Sequence, residues 1–126
     1  MAGVGGTGDG DTLGRPVFVD ERLSRYALTQ HVLRIVPLRQ FSASLHAFLA
    51  TGVGRRLVLT TAAGTVVQQL RRDLVAKLPV PVLEPSQHRR LGEHHRVAYE
   101  ALNQSVHAEN EAIRIIQEEV LPQWLA

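Results

Sequence analysis

Residues 86–120, SQHRRLGEHHRVAYEALNQSVHAENEAIRIIQEEV, decide how the rest of the chain is read. Leu91, Ala98, Leu102, Val106, Ala112, Ile113, Ile116 and Val120 recur at roughly heptad spacing and form one apolar stripe. One helix is predicted from Ser86 to about Val120, ended by Pro122, with Trp124-Leu125 as an apolar plug behind it. At about 1.5 Å per residue such a helix spans roughly 50 Å, more than a body of this size can cover. The stripe needs a partner helix. Glu100, Glu109, Arg114, Glu118 and Glu119 suit a solvated face that selects that partner by charge.

Working back toward the N-terminus, the period changes. Over Ser42–Thr61, Leu45, Phe48, Leu49, Val53, Leu57 and Val58 recur at helical steps. Ser42 or Ser44 can cap the start, and Gly52 breaks the run into two short helices. Strands are predicted at Pro16–Val19, at His31–Val36 before Pro37, and at Thr65–Gln68 behind Gly64. Arg71–Lys77 reads as a polar turn. Leu78–Leu83 is extended, and its two prolines confine it to an edge or a linker. Residues 1–13 are Gly-rich and polar and read as a flexible tail. The fold class is α+β: a small mixed sheet with a short helix pair, followed by one long C-terminal helix of coiled-coil type. The organisation is a tail at 1–13, a body at 14–83 and a long helix at 84–126.

With 126 residues the chain holds one ordinary core. The absence of cysteine excludes a disulfide scaffold, a thiol nucleophile and cysteine-based metal sites. No apolar run is long enough to span a bilayer, and the first residues have no signal-peptide pattern, so the cytoplasm is the expected compartment. The net charge of +2 conceals an asymmetry, because the body is rich in arginine and the helix beyond it is acidic. Arginine's planar fork suits phosphate and guanine contacts, although arginine-rich coding also produces this bias.

Catalytic patterns are missing. Gly3-Val4-Gly5-Gly6-Thr7-Gly8 matches a dinucleotide fingerprint literally, but that motif works only between a buried strand and a helix. The six histidines show no metal-binding spacing and are expected to pair with Glu93, Glu100 or Glu111. The serines sit in capping or surface contexts, with no nucleophile elbow. No cofactor, no metal and no enzymatic activity are expected. Side chains suited to base and phosphate contact remain: Arg15, Gln30, His31, Arg55, Arg56, Gln68, Gln69, Arg71 and Arg72. Gln can read adenine and Arg guanine in the major groove.

The order of these pieces resembles a known family. Gly14-Arg15-Pro16-Val17-Phe18-Val19, then Thr29–Pro37, Leu45–Arg55, Gly64–Gln68, and Leu78-Pro79-Val80-Pro81-Val82-Leu83 leading through Gln87 into a long helix follow one another over residues 14–120. Together they resemble the later part of a target recognition domain, with its spacer helix, from type I restriction–modification specificity subunits. The resemblance implies a non-enzymatic module that reads duplex DNA and docks methyltransferase, and possibly restriction, subunits. It also implies self-association, or pairing with another specificity fragment, through the long helix. Leu91, Ala98, Leu102, Val106, Ile113, Ile116 and Val120 would carry those contacts. The alternatives are a helix-mediated assembly protein that does not touch DNA, an inactive truncated remnant, or, last, a small hydrolase using His and Glu of the helix.

Overall fold

The structure, a computed structural model, describes residues 2–5, 12–65 and 67–126. It divides into two compact units, Met1–Gly92 and Glu93–Ala126.

In the first unit, β2 (Pro16–Phe18) and β3 (Val32–Ile35) lie close to where β-branched and aromatic residues predict them. They do not pair with each other. Between them runs β1 (Ala2–Gly5), antiparallel to both, so the sheet order is β2-β1-β3. Ala2–Gly5, expected within a flexible tail, is the central strand. All described pairings are antiparallel, so the sheet is not mixed. Glycine weakens a strand by its entropy, yet here both edges of β1 find hydrogen-bonding neighbours, and the ladder needs only backbone. Gly3 and Gly5 of the fingerprint lie in this strand, whereas Gly6 and Gly8 lie outside the described residues.

A 3-10 turn (Arg39–Phe41) leads into α1 (Ser42–Ala50), followed by α2 (Gly52–Leu59). The break falls where Gly52 suggests, but the cap that makes it is Thr51, whose Oγ1 accepts from the Gly54 N–H at 3.0 Å. Neither Ser42 nor Ser44 caps α1; the Ser44 hydroxyl donates to the Phe41 carbonyl at 3.1 Å. The two helices touch at Gly54, where a β-carbon would sit 2.1 Å from the Phe48 carbonyl oxygen. Only glycine allows this approach. It lets Leu49 and Val58 close on each other, with Ile35, Leu45, Phe48, Leu70 and Leu78 around them.

After α2 the chain forms a hairpin of β4 (Ala62–Ala63) and β5 (Gln69–Leu70). The strand expected at Thr65–Gln68 is therefore displaced toward Leu70, and Val66 lies outside the described residues. Gly64 turns the chain at φ +119°, where a β-carbon would lie 2.3 Å from the Val67 carbonyl oxygen. The polar turn contains a short helix, α3 (Arg72–Val75). Leu78–Leu83 joins no sheet.

The long helix is present. α4 (Pro85–Ile115) passes through a π turn (Ile116–Val120) into α5 (Leu121–Leu125), 41 residues in all. Pro85 occupies the first turn, where its missing N–H costs nothing, and Gln87 Oε1 accepts from the Glu84 N–H at 2.8 Å. Pro122 does not end the helix. The wider π turn stands immediately before it and takes up the disruption an interior proline causes, and Pro122 opens the first turn of α5. Among the described residues, no helix is long and apolar enough to cross a membrane.

Candidate nucleic-acid interface

The sheet register places several expected contact residues at one end of the first unit. Val4 pairs with Pro16 on one side and with Leu33 on the other, so Arg15 and Val32 stand level across β1. Two strand spacings separate them, roughly 10 Å, with His31 one step further along its edge. Gln30 and His31 are exposed, their side-chain nitrogens 3.5 Å apart. Gly14, next to Arg15, lies against Val58 and Leu59 near the end of α2. From there Thr60 and Thr61 lead into the hairpin, and the Thr61 carbonyl accepts from the Arg71 N–H at 3.0 Å. Gln68, Gln69, Arg71 and Arg72 thus follow a hairpin anchored to the same helix end. Arg56 is exposed on α2, one turn back.

Two members of the set differ from the rest. Arg55 is half-buried, with its Nε shielded from solvent, so α2 offers Arg56 more fully than Arg55. Arg71 grips Asp73 at 2.8 Å, and this hydrogen bond, with the Arg71 charge, holds the Asp73 carboxyl below its ordinary value against the opposing effect of desolvation.

Charge compensation differs between the units. In the second, Arg96 bridges Glu93 and Glu100, and Arg114 bridges Glu111 and Glu118, every contact 2.6 Å. Those hydrogen bonds raise both guanidinium pKa values and lower those of Glu93 and Glu111. In the first, Arg22 holds Asp20 at 2.8 Å, but Arg15, Arg34, Arg39, Arg56 and Arg72 make no ion pair among the described residues. Their charge is left to solvent or to a bound anion.

The glutamates expected to pair with histidines are hydrogen-bonded by arginines, and His94 beside Glu93 and His107 beside Glu111 add a weaker electrostatic pull that also lowers those carboxyls. His46 meets Phe18 edge-on, and His95 stacks on Tyr99 at 4.5 Å between centroids. Burial lowers the His95 pKa. His88 Nδ1 lies 3.0 Å from Ser44 Oγ, and its ring meets Phe41 edge-on at 5.0 Å. These contacts border an apolar groove of about 960 Å³ between α1 and residues 80–83. The sequence reading missed this groove. Its one signal was the alternation of valine and proline in Leu78–Leu83, which keeps that segment out of any sheet beside α1. Among the described residues, no cluster of three or more His, Asp or Glu could hold a metal ion.

The expected partner stripe is on the surface. Leu102, Ile113, Ile116 and Val120 are 44–49% exposed, Ala98 is exposed, and Leu91 and Val106 are half-buried. No protein-family model, no curated protein and no solved structure matches this chain.

Proposed function

We propose that the chain is a DNA sequence-specificity module of the type I restriction–modification kind, non-enzymatic, cytoplasmic, and acting with methyltransferase subunits. The observation that carries this reading is the contrast in compensation. The arginines of the second unit are each held by two glutamates, while Arg15, Arg56 and Arg72 of the first have no acidic partner among the described residues. Arginines left uncompensated on the surface of this unit suit a polyanion, and the exposed Gln30, Gln68 and Gln69 of the same unit are acceptor–donor pairs suited to base edges. Phosphate contacts by arginine would set the register, and glutamine contacts would select the sequence. The exposed stripe from Leu102 to Val120 would dock the methyltransferase subunit.

A second reading rests on that stripe alone: a helix-mediated assembly protein that never contacts DNA. One comparison separates the two. The purified chain, with and without a type I methyltransferase subunit, is titrated against labelled duplex beside the variant carrying Arg15→Gln, Arg56→Gln and Arg72→Gln. Loss of affinity by tenfold or more for every duplex supports DNA binding. Equal affinity, or no binding by either protein, supports the assembly protein. Gln69→Ala is expected to change which duplexes are preferred more than how tightly an average one binds.

A further inference from the structure

Neither DNA contact nor the helix stripe uses the apolar groove of the first unit or the exposed aromatic residue of α5. The groove is walled by Phe41, Leu45 and Phe48 on one side and by Val80 and Val82 on the other, with His88 at its border. No acidic residue lines it, and Arg89 stands at its rim without an ion pair among the described residues.

The chemistry of His88 follows from its neighbours. The Ser44 hydroxyl donates its hydrogen to the Phe41 carbonyl, so its oxygen accepts from His88 Nδ1. A neutral imidazole therefore carries its proton on Nδ1 and leaves Nε2 as an acceptor. The groove asks for an apolar group that brings an N–H donor, with an anion close by for Arg89.

One segment of the chain has that combination. In α5, Trp124 is 77% exposed and Leu125 is 73% exposed, and Glu119 lies just before them with no basic residue after Arg114. An indole is a large apolar body with a single N–H donor, and burying it is favourable only where that donor finds an acceptor. We propose that the groove receives the Trp124–Leu125 end of a second copy of the chain, with the indole N–H donating to His88 Nε2 and Glu119 facing Arg89. This contact is head to tail, so successive copies form a closed ring or an open chain. It does not depend on DNA binding.

Trp124 is the chain's one tryptophan, so intrinsic fluorescence reports its surroundings directly. The full chain, without DNA, is diluted through the micromolar range while emission maximum and sedimentation mass are followed. The expected result is a blue-shifted maximum at high concentration that moves to the red on dilution, with mass falling over the same range. Val82 is 99% exposed, so Val82→Asp leaves folding untouched while placing an acid at the groove. It is expected to move the transition to at least tenfold higher concentration, and Arg89→Glu to act in the same direction. An emission maximum that does not depend on concentration overturns the proposal. So does a transition that Val82→Asp leaves in place, which would mean that Trp124 is covered by some other surface.

Discussion

Replacing Gly54 by alanine sets two effects of opposite sign against each other. In an open helix interior the change stabilises by about 1 kcal/mol, because alanine loses less backbone entropy than glycine. Here the added carbon would lie 2.1 Å from the Phe48 carbonyl oxygen, 2.8 Å from Leu49 Cα and 2.9 Å from the Phe48 carbonyl carbon. Ordinary carbon–oxygen approach is roughly 3.3 Å or more, so α1 and α2 must separate by about 1 Å. All three contacts are backbone, and Thr51 alone links the helices, so no side chain can rotate out of the way. Separation also loosens Leu49 against Val58, the centre of the core. Overpacking of this kind costs about 1–3 kcal/mol and can exceed that range where backbone must move. The net expectation is a loss of about 2–3 kcal/mol, a Tm lowered by on the order of 10–20 °C. Thermal unfolding followed by circular dichroism measures it. Gly52→Ala is the control, since its β-carbon meets nothing closer than Arg56 Nη1 at 3.7 Å; it should leave stability unchanged or raise it slightly. A Gly54→Ala protein as stable as the wild type would refute the packing of α1 on α2.

Further outcomes are expected elsewhere. Thr51→Ala removes the side-chain acceptor for the Gly54 N–H and should cost about 1 kcal/mol in urea unfolding. Burial raises the Asp20 carboxyl, but hydrogen bonds from the Arg22 side chain and the Leu23 N–H, with the Arg22 charge, outweigh it and hold the group below its ordinary value. Its stabilising effect is then present above the ordinary aspartate range and lost as pH falls through the lowered value, so Asp20→Asn should flatten the acid limb of the stability profile. Ile113→Asp, at a position already 48% exposed, should leave helix content intact while abolishing co-purification of a methyltransferase subunit.

The parts of the fold legible in the sequence are those whose pattern repeats. The stripe from Leu91 to Val120 and the helical period of Leu45, Phe48 and Leu49 depend on local spacing, and both helices stand where that spacing puts them. Long-range pairing carries no such signal. Nothing local in Ala2–Gly5 distinguishes a central strand from a tail, because its stability comes from β2 and β3 on either side. Nor does a proline at position 122 announce the π turn that accommodates it. Of the candidate site, residue types were legible and their grouping was not. Arg15 and His31 come to the same end of the sheet only through the registers of β1, and the Arg71 backbone is fixed by its bond to Thr61. Sequence spacing also paired the helix histidines with glutamates whose hydrogen bonds go to two arginines, His94 and His107 acting on Glu93 and Glu111 only through charge.

The most direct test of DNA recognition is the salt dependence of duplex affinity. Counterion release gives a slope of about −0.9 per phosphate neutralised in log K against log salt. With Arg15, Arg56 and Arg72 each on a phosphate, and Arg71 retained by Asp73, the expected slope is about −2.7. Each arginine replaced by glutamine should make it shallower by about 0.9. A flat dependence, or no measurable binding at low salt with the methyltransferase subunit present, would contradict the account.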